Sequence, residues 1–218
     1  MTDDSKNPGI PTKAILLLVL ITLAFGSGWP IMKYGVIELP ILTFRWMTAV
    51  FSGIGVLTIA AFIGHRLLVF REEIGIVFLC SLFNVTGWFY FSGLGLTMLT
   101  AGRATILAYT HPLFAFLIAL AIGRDRLSPR RIFGLACGMG AVAVLSARDF
   151  SAFGENPFGV LAMLVAATCF ATGANLQKRA WRTPLIVLAG WQMLIGGLPL
   201  LVLSLVFDHD PFVDFTFY

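Results

Sequence analysis

Seven apolar runs alternate with short polar connections along this chain. They cover residues 14–32, 42–63, 74–98, 104–122, 132–147, 158–177 and 185–207. A helix that crosses a bilayer needs roughly 20 predominantly apolar residues, so each run is a candidate span. The fifth is short and the third is long. Brief connections predict closely packed, antiparallel neighbours, and the expected fold is an all-α integral membrane bundle of about seven transmembrane helices. The start, residues 1–13, is polar and carries Pro8 and Pro11. The first run ends without a small-residue cleavage signal, so it reads as a span rather than a removed signal peptide.

The connections hold most of the charge, and their sign sets the orientation. With the N-terminus inside, Lys6, Lys13, Arg66, Arg71, Arg124, Arg126, Arg130, Arg131, Lys178, Arg179 and Arg182 are cytoplasmic, eleven in all. Lys33, Arg45, Arg103 and Arg148 are the four on the other side. That asymmetry follows the positive-inside rule and predicts a bacterial-type inner (plasma) membrane protein with a cytoplasmic N-terminus. The tail carries Asp208, Asp210 and Asp214 without Lys or Arg, which fits an odd number of spans.

Composition narrows the class. Of 218 residues 58% are hydrophobic and 12% are charged, about half the charge of a soluble domain. A disordered chain and a disulfide-rich secreted module are excluded. The net charge of +4 lies between apolar runs and points to orientation, not to nucleic acid. Cys80, Cys137 and Cys169 each lie inside an apolar run without CxxC spacing, so neither a disulfide nor a zinc site is expected. No metal or other cofactor is implied.

An internal repeat adds organisation. Phe25-Gly-Ser-Gly-Trp-Pro-Ile-Met-Lys33 aligns with Phe170-Ala-Thr-Gly-Ala-Asn-Leu-Gln-Lys178 at an offset of 145, which also places Trp46 on Trp191. Several matches at one offset indicate a repeat. Five spans separate the two starts. An odd number inverts the second copy, a common build for secondary transporters. Residues 1–147 form the first copy and residues 148–218 an incomplete second. The third helix of that copy would start near position 219, so helices eight to ten of a ten-helix arrangement are expected to be absent.

Four motifs carry a family resemblance. They are the Phe25–Lys33 stretch, Leu39-Pro-Ile-Leu-Thr-Phe-Arg45, Ala101-Gly-Arg-Ala-Thr-Ile-Leu-Ala-Tyr-Thr-His-Pro112, and Arg126-Leu-Ser-Pro-Arg-Arg-Ile-Phe-Gly134. The chain resembles the EamA-type drug/metabolite transporter superfamily. The resemblance implies ten helices in two inverted five-helix repeats. It also implies a central cavity that passes small metabolites, often amino acids or related compounds. Arg124-Asp125-Arg126 stands where the family usually has Gly-Glu-Arg, so Asp125 would take the acidic role.

Within the runs, polar groups are few. No Asp or Glu lies well inside them, and such carboxylates are the usual ion carriers of coupled transporters; flux independent of a proton gradient is the expectation. His111 shares a helical face with Ala104, Ala108 and Ala115, opposite the aliphatic Ile106, Leu113, Leu117 and Leu120. Small residues favour close helix packing, so His111 is expected to point into the bundle. It is either a neutral histidine bonded to a neighbouring helix or a cavity residue. Pro112 cannot donate to the Ala108 carbonyl and leaves a polar spot there. Pro30 does the same to Gly26, on the face that carries Trp29 and Lys33. Asn175 holds the matching place in the second copy. Asn84, Trp88, Phe91 and Gly95 share a face and line either a core or an amphipathic pocket, and Tyr109 is similar.

The candidate substrate-binding residues are therefore Trp29, Asn84, Tyr109, His111 and Asn175, at a site between helices one, three, four and six. Lys33, Lys178 and Arg103 are candidates for gating or headgroup contact. Lys33 and Lys178 are read as lying at helix C-terminal ends, where the dipole and snorkelling favour a cation. Gly134 and Gly138 form a GxxxG packing face within the bundle or between subunits. HExxH, GxSxG and P-loop motifs are absent, so no enzyme is expected. Two readings stay open: a transporter, as a single chain or a homodimer, and a truncated non-transporting membrane protein or subunit that needs a partner chain. The lipid bilayer and a small metabolite are the expected partners.

Overall fold

The computed structural model describes residues 12–123, 128–147 and 156–208. Among these residues every regular element is helical. Nine α-helices are α1 (Thr12–Glu38), α2 (Ile41–Phe62), α3 (Ile74–Ser81), α4 (Trp88–Met98), α5 (Ala101–Ala108), α6 (His111–Ala121), α7 (Pro129–Ala147), α8 (Pro157–Gln177) and α9 (Leu185–Phe207). A 3-10 turn, Arg71–Glu73, precedes α3, and a π-helical segment, Leu82–Gly87, joins α3 to α4. The third span is thus one 28-residue path, Arg71–Met98. The fourth, Ala101–Ala121, is broken in the middle.

Six of these paths are long and apolar enough to cross a membrane. The fifth expected span corresponds to α7, which has 19 residues and opens on Pro129, Arg130 and Arg131. The protein is an all-helical, multi-pass membrane bundle. Lys6, Arg148, the Arg124-Asp125-Arg126 connection and the tail residues Asp210 and Asp214 lie outside the described residues.

The first span differs from its expected length. α1 continues past Met32 to Glu38, so Lys33 is interior to its own helix rather than at its end. Pro30 does not end the helix: α1 runs through it, since neighbouring groups can satisfy a freed carbonyl.

α2 and α9 form a closely packed antiparallel pair, and small residues bring their backbones together. A Cβ added at Gly53 would meet the Leu194 side chain at 2.8 Å and the Gly190 carbonyl oxygen at 3.0 Å. A Cβ at Gly190 would meet Leu57 at 2.6 Å. In a bilayer, where apolar side chains gain nothing by leaving lipid, such close approach supplies the packing energy.

Carboxylates fasten both ends of α9, one to α2 and the other to the start of the third span. At one end Asp208 Oδ2 accepts from the Thr43 backbone N–H (2.9 Å) and from Thr43 Oγ1 (2.7 Å), capping the first turn of α2. At the other, Glu73 is buried. Its Oε1 accepts from the Arg182 N–H (2.7 Å), and its Oε2 from the Thr183 N–H (3.2 Å) and hydroxyl (2.6 Å). These donors lie just before α9, whose Pro184 N-cap brings no side-chain cap of its own. A carboxylate at a helix N-terminus satisfies donors and meets the dipole. Glu73→Ala strands three donors, so the thermal midpoint in detergent should fall by roughly 5 °C. An unchanged midpoint would contradict this fastening role.

Candidate functional site

Four aromatic rings from the first, third, fourth and sixth spans meet inside the bundle. Trp29, on α1, is almost fully buried and stands edge-on to Trp88, centroids 6.4 Å apart at 80°. Trp88 is the first residue of α4. It packs against Phe170 of α8 at 5.1 Å. Phe170 in turn meets the His111 ring edge-on at 5.0 Å and 81°. Edge-to-face pairs exploit the ring quadrupole and fix orientation beyond simple burial. Each of these residues except Trp29 keeps partial exposure.

Local backbone irregularities position the rings. The π segment inserts a wider turn immediately before Trp88, and π turns are a recurrent way of re-aiming a side chain at functional sites. In the fourth span, Pro112 cannot donate to Ala108, and the helix breaks at Tyr109–Thr110. His111 Nδ1 lies 3.0 Å from the freed Ala108 carbonyl. A carbonyl only accepts, so Nδ1 carries the proton. In the neutral ring Nε2 is then left as an acceptor. The proline-freed carbonyl thus sets the histidine tautomer.

Below the rings lies a set of amides. Asn175 is buried; its Nδ2 donates to the Ala115 carbonyl at 2.8 Å and to Ala171 at 3.0 Å, tying α8 to α6. Asn84, in the π segment, donates through Nδ2 to Gln192 Oε1 at 3.2 Å. Gln177 Nε2 donates to the same oxygen at 2.8 Å. The Asn84 carboxamide lies over Gly173, where an added Cβ would collide with it. Gln192 is 4% exposed. Neither Gln177 nor Gln192 was singled out from sequence, although a glutamine inside an apolar run is costly in lipid and signals a protein-facing position.

The cations have structural partners. Lys33 Nζ donates to the Leu96 (2.6 Å) and Leu99 (3.0 Å) carbonyls and so caps α4, a neighbouring helix, rather than its own. The dipole argument holds, but for the adjacent element. Lys178 directly follows α8 and donates to Asn175 Oδ1 at 3.3 Å. Arg103 sits in the first turn of α5, its backbone N–H donating to Thr100 Oγ1 at 3.4 Å. Tyr109 is not with the rings. It is half exposed and lines a separate cavity of about 320 Å³ with Pro112, Phe116, Gly134, Gly138 and Met139, between the fourth span and α7. Phe91 pairs with Tyr90 instead of joining the row. Among the described residues no cluster of His, Cys, Asp and Glu could hold a metal ion.

Comparison with known proteins decides the family. The model of the EamA-like transporter family matches residues 12–147. The chain belongs to the EamA-like transporter family. It is 23% identical over 207 residues to the uncharacterized transporter YoaV of Bacillus subtilis (strain 168), covering 94% of this chain and 71% of that one. It is 26% identical over 192 residues to the uncharacterized transporter YvbV of the same organism, covering 88% and 62%. The WAT1-related protein At3g02690, chloroplastic, of Arabidopsis thaliana is 30% identical over 139 residues, 61% of this chain and 33% of that protein. No solved structure matches. The EamA-like region contains the first, third and fourth spans, and Phe170, the fourth contributor to the aromatic row, lies beyond it.

Proposed function

We propose that this EamA-like protein is a permease or exporter that carries small metabolites, such as amino acids or related compounds, across a bacterial-type inner membrane. The observation that carries the reading is the row Trp29–Trp88–Phe170–His111. It joins four spans by their side chains and ends on an imidazole with a fixed acceptor. Apolar faces with one or two placed polar groups are what a site for an amphipathic solute requires. The two copies are inverted repeats, a reading supported by the antiparallel α2–α9 pair between them. The N-terminus is cytoplasmic, and the Lys- and Arg-rich connections face the same side.

His111→Ala tests the site. It removes the Nε2 acceptor and one partner of Phe170. Flux in liposomes reconstituted with equal amounts of protein should fall about tenfold. Flux equal to the parent at equal abundance would remove His111 from the site.

A second reading, a subunit that needs a partner chain, is favoured by α1. Its residues Ala14–Ser27 are exposed on every side, a surface that lipid or a further helix would cover. Saturable flux from this chain alone would reject it.

A further inference from the structure

Among the described residues Arg45 is the most deeply buried cation. It lies in the second turn of α2 and is 1% exposed. A guanidinium carries five N–H donors in a planar fork. Nη2 reaches Ser92 Oγ at 3.3 Å and Nη1 reaches Met32 Sδ at 3.3 Å, both long contacts to weak, neutral acceptors. Nε is buried with no partner. The Phe44 and Phe89 rings lie 5.8 and 5.5 Å from the guanidinium carbon and offer some cation–π compensation. No carboxylate pairs with Arg45 among the described residues. A cation buried at membrane depth without a counter-charge is costly, and in a membrane protein it marks a place where an anion or a moving charge belongs.

Its two polar contacts locate that place. Ser92 is one turn beyond Trp88 on α4, and Met32 is one turn beyond Trp29 on α1, so each shares a face with its ring. Met32 also packs against the core that holds Trp29 and borders Trp88. Arg45 therefore stands one helical turn from the aromatic row, with a flexible thioether on its fork. The neighbouring backbone makes room for it: a Cβ at Gly93 would approach Arg45 Nε to 3.0 Å.

We propose that Arg45 is the anion-recognising residue of the transport site, and that the solute is an amphipathic organic carboxylate. Its apolar body meets the Trp29–Trp88–Phe170 rings and its carboxylate displaces the Met32 thioether from the guanidinium fork. This assignment rests on the aromatic row being the solute site. Arginine suits the task because its fork donates to both oxygens of one carboxylate.

The test is equilibrium binding of two labelled probes, phenylacetate and the neutral phenylacetamide, to the full chain in liposomes. The parent should bind phenylacetate about tenfold more tightly, the worth of one charge-assisted hydrogen-bonded pair. Arg45→Gln should bring the ratio of the two affinities to about one, while Arg45→Lys should keep part of the preference. Met32→Ala, which spares the arginine, should strengthen phenylacetate binding selectively. An arginine held only to brace α2 against α4 predicts no preference in the parent. Saturable binding of both probes with equal affinity would therefore overturn the Arg45 assignment and leave the aromatic site standing. Binding of neither probe would overturn both.

Discussion

Replacing Gly173 with alanine should lower stability by about 2 kcal/mol and strip most of the transport activity. The added Cβ falls on the Asn84 carboxamide, which is held there by its bond to Gln192. The side chain must leave, and with it goes the link between the π segment and α9. Buried polar groups then lose their partners in a medium with no water to replace them. The control is built into the repeat. Gly28 occupies the matching position in the first copy and has nothing within 4 Å of its added Cβ. Gly28→Ala should therefore be within about 0.5 kcal/mol of the parent. A second substitution is specific to this collision: Asn84→Ala should recover part of the stability lost to Gly173→Ala, because it removes the colliding group, while flux stays low. Equal losses from Gly28→Ala and Gly173→Ala, or no recovery in the double variant, would contradict this account.

Trp88→Ala should cut saturable flux to about a fifth or less at concentrations where the parent is half-saturated, a loss of about tenfold or more in apparent affinity. Trp88 is the centre of the row, in contact with Trp29 on one side and Phe170 on the other. Its removal breaks two ring pairs and opens a space between three spans. Trp88→Phe keeps an aromatic face and should retain most of the activity. The readout is initial uptake against concentration at matched protein content. A Trp88→Ala variant with an unchanged half-saturation value would place the solute elsewhere.

Much of the fold was legible because lipid imposes a simple rule. Backbone groups must be satisfied within each helix, so apolar runs of the right length predict spans. The seventh run matches α9 at both ends, and the sixth matches α8 to within one residue. The first span was read too short, because Lys33 looked like a terminus. A lysine can be interior when a neighbouring helix offers its carbonyl ends, and no sequence pattern reports that. The four spans expected to meet do meet in the aromatic row. His111 and Trp29 were visible through the proline and small-residue context around them. Phe170 and the role of Trp88 were harder to see, because phenylalanine and tryptophan on a helix face look the same in a core and in a site. Tyr109 does line a cavity, but the one toward α7 rather than the aromatic row, because the break at Tyr109–Thr110 separates it from His111. The π segment changes the register of Asn84 relative to Trp88 and Phe91, which stay three residues apart on one regular helix; Phe91 packs on Tyr90 outside the row. Trp46 and Trp191, aligned in the repeat, part ways: Trp191 Nε1 donates to the Leu67 carbonyl at 2.7 Å, whereas Trp46 Nε1 is buried without a partner.

On the proposed function, this chain moves a solute through a site between its first, third, fourth and sixth spans. Counterflow tests it most directly. Liposomes containing the full chain are loaded with unlabelled phenylacetate and diluted into a trace of labelled phenylacetate, without a proton gradient. Uptake of label should rise above its equilibrium level and then decay, and Trp88→Ala should show no such overshoot. Label entering the parent liposomes only as fast as it enters protein-free liposomes would contradict the account.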